Sequence, residues 1–328
     1  MKDKIGWGFI GAGHISHRFI KGLLEVPDAY LAAVGSRAEG KAEAFVSQYG
    51  GKAYTSYEKV ILDKDVDIIY VATPNSLHME HTLLSLDLGK PVLCEKPMAA
   101  NAAQARAMAS KAREKRLFLM EAMWTRFFPA MEKVRSWIND REIGNIHYLT
   151  AEFGFNKGAE DPKSRLFDPA LAGGSLLDLG VYAVSFSSMV FGKKPRYIAS
   201  IAEPASTGVD AHMGCLLGYE GGGIASLFSS LHTNSAREAR ISGERGYIVI
   251  PKFWMPVNAI LYKDQQFAEE FSCESASEGF QYEIAAVQKD LRGGRTEDPL
   301  MPLDESIAIL ETMDALRAQW GLVYPFEK

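Results

Sequence analysis

Residues 1–121 alternate between two apolar patterns. Short, mostly apolar runs at 5–10, 30–34, 67–72, 92–94 and 117–121 have the length of strands. The run Asp67-Ile-Ile-Tyr-Val-Ala72 is nearly all apolar, as a parallel strand buried on both faces requires. Between these runs the spacing becomes helical. Ile15, Phe19, Leu23 and Val26 recur at three- and four-residue steps and form one apolar face. Further helices are predicted over 41–49, 57–62 and 77–88. Another runs to Lys115 and is opened by the capping-box pattern Asn101-Ala-Ala-Gln104. Strands separated by helices of this length imply parallel pairing and a doubly wound α/β sheet.

After Glu121 the rhythm changes. A helix is predicted over 129–139, with Pro129 at its first position, then a strand over 146–155. Residues 156–172 read as a long polar loop, and such loops often carry function. A helix follows Gly173-Gly174-Ser175 and runs to Phe191. Strand-like runs at 196–201, 212–219, 223–231, 238–242, 247–250, 259–263 and 266–272 alternate with glycine-rich or polar turns. They predict an antiparallel meander with one face to be covered. Helices over 278–292 and 304–319 follow. The expected division is a dinucleotide-binding domain over 1–121 and a second α/β domain over 122–328, with the active site in the crevice between them.

Length agrees, since 328 residues are more than one core usually serves. A net charge of −5 without Lys/Arg runs leaves no footprint for nucleic acid. No stretch approaches ~18 apolar residues, so no membrane span is expected. Met1-Lys2-Asp3-Lys4 lacks the apolar core of a secretory leader. Three widely spaced cysteines, Cys94, Cys215 and Cys273, suit free thiols in a reducing compartment, so a cytoplasmic location is expected.

The candidate chemistry gathers where strands end. Gly11-Ala-Gly13-His14-Ile15-Ser16 follows the first strand and opens a helix. Small residues there admit a pyrophosphate to the backbone, and the helix N-terminus attracts its charge. The second strand ends Gly35-Ser36-Arg37, without the Asp or Glu that would hold the ribose hydroxyls of NAD. Ser36 and Arg37 suit a 2′-phosphate, so NADP is favoured and NAD is the alternative. Thr73-Pro74-Asn75 ends another strand on the same edge, where a nicotinamide ribose would lie. His78 and His81 follow, and without further ligands they make no metal site.

Glu95-Lys96-Pro97 closes the strand at 92–94 on the ligand-binding edge. A lysine shielded there titrates lower and can take part in proton transfer; the plainer alternative is a solvated loop lysine. Ser175-Leu-Leu-Asp178 has a capping-box pattern, which makes Asp178 either a helix-terminal acid or a crevice residue. Tyr182 lies one turn on, on the same face. A neighbouring Lys96 ammonium would favour its phenolate and equip it to take an alcohol proton, whereas its plain role is a buried tyrosine. Trp124 and Arg126 are candidate cofactor contacts. Phe155 and Arg165, with Lys96, Asp178 and Tyr182, are candidate substrate contacts.

Together Gly11 to Ser16, Ala72-Thr73-Pro74-Asn75 with His78, Glu95-Lys96-Pro97, and Gly173-Gly174-Ser175-Leu-Leu-Asp178-Leu-Gly180-Val-Tyr182 resemble the Gfo/Idh/MocA family of NAD(P)-dependent oxidoreductases. Glu121-Ala-Met-Trp124-Thr-Arg126-Phe-Phe-Pro129 and Arg165-Leu-Phe-Asp-Pro169 are similar to its dimeric dihydrodiol dehydrogenase branch. The resemblance implies an N-terminal Rossmann domain and a C-terminal α/β domain with an open, mostly antiparallel sheet. It implies a catalytic pair of Lys96 and Tyr182, with Asp178 placing the substrate. It also implies NADP, a sugar or diol substrate, and a homodimer or higher homo-oligomer formed through the open sheet. Ser16 departs from the family's alanine or glycine. Two rivals stay open. One is a non-catalytic NADP-binding regulator. The other is a relative that keeps its cofactor bound and performs internal redox chemistry, as an oxidoreductase or a glycosidase.

Overall fold

The computed structural model describes residues 4–192, 194–273 and 278–327; the first three residues, read above for a leader, lie outside this range. Two compact units divide the chain, Met1–Trp124 with Ser275–Ile307 and Thr125–Glu274 with Ala308–Lys328.

The first unit is the doubly wound sheet that the alternation predicts. Its elements are β1 (Ile5–Ile10), α1 (His14–Leu24), β2 (Ala29–Gly35), α2 (Lys41–Tyr49), β3 (Lys52–Tyr54), α3 (Tyr57–Ile61), β4 (Ile68–Val71), α4 (His78–Asp87), β5 (Val92–Glu95), α5 (Ala102–Lys115) and β6 (Leu119–Ala122). All pairings are parallel, in the order β3-β2-β1-β4-β5-β6. The polarity of the chain reverses its winding between β1 and β4, the place where such sheets open a crevice at their carboxyl edge. Strands β1, β4, β5 and β6 are buried at every residue, which explains why they are apolar but for Glu95 and Glu121. The short edge strand β3 escapes the sequence pattern. It has three residues, and Lys52 within it pairs with Asp63 and Asp65. At α5 the predicted cap forms: Asn101 accepts from the Gln104 backbone at 2.9 Å. The Gln104 side chain returns to the Ala100 N–H at 3.2 Å, one residue beyond the expected partner.

The second unit holds α6 (Pro129–Asn139), β7 (Ile146–Gly154), α7 (Val181–Phe191), β8 (Tyr197–Pro204), β9 (Asp210–Gly218), β10 (Ile224–Ser230), β11 (Ala239–Gly243), β12 (Gly246–Ile250), β13 (Asn258–Lys263) and β14 (Gln266–Ser272). Helix α8 (Phe280–Arg292) returns to the first unit, where Phe280 packs under α1. A Cβ on Gly22 would sit 2.7 Å from the Phe280 Cβ. Helix α9 (Leu303–Trp320) then crosses from the first unit into the second.

The eight strands are ordered β14-β13-β12-β11-β7-β10-β9-β8, which corrects the expected meander. Strand β7 sits in the middle and pairs parallel with β10, from Ile224↔Tyr148 to Ser230↔Gly154. A strand contributed before α7 thus reaches the centre of a sheet whose other strands follow α7, with β10 parallel on one side and β11 antiparallel on the other. Helix α7 packs on β7 and β10 and covers one face. The register places Tyr197 and Ile201, Leu216, Ile224, Tyr148, Tyr247, Tyr262 and Phe267 on the other face. The stretch Pro169–Phe191 is, by length and composition, apolar enough to cross a membrane, against expectation, yet most of it is buried inside the unit.

Candidate active site

At the carboxyl edge of the parallel sheet the first turn runs through Gly11 and Gly13. Gly11 has φ +105°, and a Cβ there would lie 2.6 Å from the Ala72 carbonyl oxygen. Only glycine fits both demands. Gly13 differs: a Cβ there would meet nothing within 4 Å. The space in front of α1 is open, and no side chain caps the helix N-terminus formed by His14 and Ile15. That suits an oxygen-rich, negatively charged group facing free N–H donors. Ser16, the departure from the resemblance, is fully buried and donates to the Gly11 carbonyl at 2.8 Å, closing the same turn.

Ser36 follows β2, is buried, and forms a turn with Ala38, accepting from its N–H at 3.2 Å. Arg37 is exposed, with its guanidinium 5.9 Å from the centre of the Tyr57 ring. Tyr57 in turn meets His81 edge-on at 4.8 Å, and the His81 Nδ1 lies 2.9 Å from the Thr73 hydroxyl. Thr73, Pro74 and Asn75 follow β4 and are half-buried. His78 is buried between two backbone carbonyls, Pro97 from its Nδ1 and Thr73 from its Nε2, each at 2.8 Å. Burial pushes its pKa down to about 4, while those two carbonyls pull it up. His78 therefore ties the end of β4 to the turn after β5.

That turn carries Lys96, half-buried, with a cis bond to Pro97. Glu95 precedes it, buried, and accepts from the Tyr70 hydroxyl and, at 3.2 Å, from the Lys96 backbone N–H. Burial raises the Glu95 pKa, opposed by Tyr70 and by the Lys96 charge. Trp124 lies in this unit as a packing residue, stacked on Phe280 at 4.3 Å with Arg18 over its ring.

The remaining candidates lie in the second unit. Asp178 lies within a five-residue widened helical turn, Leu176–Gly180, and Tyr182 lies just beyond it in the first turn of α7. Such turns are uncommon and often occur at functional sites. Both residues are 7% exposed, so they sit in a wall rather than on open surface. The expected capping box is absent. Ser175 has helical φ and ψ and does not cap; its hydroxyl donates instead to Asp210 at 2.8 Å. The Asp210 carboxylate also accepts from the Leu176 N–H at 2.6 Å, so it takes a helix-terminal donor as well as the hydroxyl. Asp178 accepts from the Arg165 guanidinium at 2.9 Å. Tyr182 packs edge-on against Phe153 at 5.5 Å, and Phe153 stacks on Trp254 at 5.1 Å. Phe155 is half-buried under Lys157, whose ammonium lies 3.9 Å from the ring centre. Partial burial lowers the Lys157 pKa, opposed by Asp178. Arg126 is buried on the α7 side, donating to the Ser185 hydroxyl and carbonyl at 3.1–3.2 Å and 2.7 Å.

Residues 5–123 match the oxidoreductase family with an NAD-binding Rossmann fold, and residues 131–249 match the GFO/IDH/MocA C-terminal domain. The chain belongs to the Gfo/Idh/MocA family of oxidoreductases. It is 38% identical over 332 residues to the trans-1,2-dihydrobenzene-1,2-diol dehydrogenase of Mus musculus, covering 98% of each chain. The Homo sapiens protein of the same name is 36% identical over 333 residues, again covering 98% of each. The aldose-aldose oxidoreductase of Caulobacter crescentus, solved with glycerol, superposes with a TM-score of 0.88 at 26% identity, covering 98% of this chain and 99% of that one.

As a member of this family the protein is an oxidoreductase with an NAD(P)-type Rossmann domain. Residues that sequence reasoning passed over are Lys157, Phe153 and Trp254 around Asp178 and Tyr182. Asp210, which holds Ser175, was also missed. Lys157 falls in the loop flagged for its length; nothing in the local sequence marks Asp210 or Trp254.

Proposed function

We propose that this oxidoreductase is an NADP-dependent dehydrogenase acting on a secondary alcohol of a sugar or vicinal diol. The observation that carries the reading is Lys96, held half-buried at the carboxyl edge of the parallel sheet by the buried neighbours Glu95 and His78. An ammonium fixed there suits stabilising charge that develops on a substrate oxygen. In this reading Tyr182 accepts the hydroxyl proton, Lys96 steadies the oxygen, and Asp178, oriented by Arg165, accepts a hydrogen bond from a second hydroxyl. Gly11, Gly13, His14 and Ile15 hold the cofactor's pyrophosphate; Thr73, Pro74 and Asn75 hold its ribose. The bound nicotinamide supplies the hydride acceptor. Ser36 and the Arg37–Tyr57 pair favour a 2′-phosphate, since no carboxylate stands there to receive ribose hydroxyls. The names of the full-length relatives support the substrate class.

The reading includes a second copy of this chain on the open face of the eight-stranded sheet. Tyr197, Ile201, Leu216 and Phe267 are among its exposed apolar side chains, and they lie in register across the sheet. An apolar surface this continuous favours burial against a partner. Three free thiols fit the reducing, cytoplasmic setting.

The test is Lys96→Met and Tyr182→Phe, assayed on a panel of sugars and diols with NADP and with NAD. Each variant is expected to lose ~10²–10⁴-fold in kcat while retaining NADP affinity. Wild-type turnover in either variant would refute the assignment. Turnover by the wild-type protein excludes the regulator alternative. A 340 nm absorbance change that tracks turnover excludes internal redox recycling.

A further inference from the structure

Asp178 and Tyr182 follow a turn that does not hold itself. The Gly173 N–H reaches the Asp168 carbonyl at 3.0 Å, and the Gly174 N–H reaches the Leu166 carbonyl at 2.8 Å. A Cβ on Gly173 would lie 2.7 Å from that same Leu166 oxygen. The Gly174 carbonyl accepts from the Asp178 N–H at 3.2 Å, and three further polar groups of the turn are answered from far along the chain. Asp210 of β9 accepts from the Ser175 hydroxyl at 2.8 Å and from the Leu176 N–H at 2.6 Å. Gly174 (φ +119°) packs so closely on Asp210 that a Cβ would lie 2.2 Å from its Oδ1. The Gly173 carbonyl accepts from the Tyr324 hydroxyl at 2.7 Å.

Tyr324 belongs to the segment that follows α9, and its whole surroundings fix it. It is fully buried, and its ring lies 4.8 Å under the Arg317 guanidinium. Arg317 grips Glu327 with two nitrogens at 2.8 and 2.9 Å, and the Tyr324 N–H donates to the same carboxylate at 2.9 Å. The short turn Pro325–Glu327 packs on the short turn Pro169–Leu171, just before Gly173. Arg317 and Glu327 thus make a two-pronged, half-buried pair of the stronger kind. They seat a phenol against one backbone oxygen 151 residues away.

We propose that this segment is a brace for the reaction proposed above, and that Tyr324 is a positioning residue. Through Gly173 on one side, with Asp210 acting through Ser175 and Leu176 on the other, it keeps Leu176–Gly180 in its widened form. Asp178 and Tyr182 keep their relative orientation in consequence. Widened turns are less favourable than α-helix and persist only where surroundings over-determine them. Without the hydroxyl, Gly173 is free to let the turn relax towards ordinary helix. That relaxation rotates Asp178 with respect to Tyr182. A misplacement of ~1 Å at a reacting group costs ~10²-fold.

The proposal rests on Tyr182 being the proton acceptor, and the test separates the two ideas. Tyr324→Phe keeps the ring in its pocket and removes one hydrogen bond, so the protein folds with a small stability loss. Three readouts follow: steady-state kinetics with NADP and the best polyol, NADP affinity by cofactor fluorescence, and hydrogen exchange of the peptide spanning 173–182. The expected result is kcat lowered at least tenfold, KM and NADP affinity within about twofold, and faster exchange confined to that peptide. Added to Tyr182→Phe, the Tyr324→Phe change should lower kcat no further, because both act through one group. Wild-type kcat in Tyr324→Phe, or unchanged exchange at 173–182, overturns the brace. An equal further loss in the Tyr182→Phe background overturns its action through Tyr182. If the wild-type protein turns over no polyol, the dehydrogenase reading falls, and the exchange result alone decides whether Tyr324 sets this turn.

Discussion

The two units hold their candidate site residues by opposite means. In the first, topology does the placing. Every strand runs the same way, so the residues that follow β1, β2, β4 and β5 arrive at one edge. Gly11, Ser36, Thr73 and Lys96 need only local turns and one buried histidine. In the second, mixed strand directions give no common edge. Asp178 and Tyr182 depend on a turn whose shape is dictated by Asp210 and Tyr324. A parallel sheet thus writes its site into local sequence; a mixed sheet writes it into distant contacts.

Glycine substitution is the harshest way to press this contrast. Gly11→Ala and Gly174→Ala each force a side chain into φ +105° or +119° and drive a Cβ onto an oxygen 2.6 or 2.2 Å away. Each should cost ~2–4 kcal/mol, read as a lower denaturation midpoint. The obstacle at Gly11 is backbone, the Ala72 carbonyl, which cannot withdraw. At Gly174 it is the Asp210 side chain. Gly174→Ala combined with Asp210→Ala should therefore cost ~1 kcal/mol or more below the sum of the single losses. Full additivity would show that the strain at Gly174 lies in the backbone alone.

The same contrast decides what sequence reading reaches. The parallel sheet, and the places of the Gly11–Ser16 turn and of Lys96 at its carboxyl edge, were legible because strand, turn and helix signals are adjacent in the chain. The central, parallel place of β7 was not, since pairing with β10 is set 70 or more residues away and any short apolar run fits a meander equally well. Ser175 shows the limit most sharply. Its spacing to Asp178 is a capping box, and only the arrival of Asp210, 35 residues on, turns the hydroxyl elsewhere. Trp124 was read towards the cofactor, and its stacking partner Phe280, which the local sequence does not announce, lies 156 residues on.

A gentler probe addresses the acids that each unit buries. Glu283 on α8 is fully buried in the first unit, and neither carboxyl oxygen has a hydrogen-bond partner among the described residues. Burial, and then the charge of Glu95, raise its pKa well above the usual carboxyl value. Asp210 in the second unit is also raised by burial, but only to about 6, because Ser175 and Leu176 donate to it. The folded protein holds a proton on Glu283 that the unfolded chain releases above ~pH 4.3, so its stability contribution is complete below that pH and is lost as pH rises towards the folded pKa. The slope is ~1.4 kcal/mol per pH unit for one proton. Glu283→Gln removes it. The stability curves of wild type and variant should coincide near pH 4 and separate above pH 5, with the variant the more stable. Parallel curves from pH 4 to 8 would mean that Glu283 is charged in the fold. Glu95 and the phenol of Tyr70, the groups coupled to it, stay in both proteins and cancel in the difference.

The smallest effect belongs to Gly13, and it separates a glycine kept for the fold from one kept for a ligand. Its φ of −87° and ψ of −176° are open to any residue, and a methyl group there meets nothing within 4 Å. Gly13→Ala therefore leaves the native state unstrained and restricts the unfolded chain, so the cofactor-free protein should gain ~0.4–1 kcal/mol. NADP affinity should move the other way, by about tenfold, because the methyl stands where a pyrophosphate approaches the backbone. Stability and binding that fall together would mean that Gly13 serves the turn, as Gly11 does. Stability that rises while binding falls shows that the space in front of α1 is held open for the cofactor at the fold's expense.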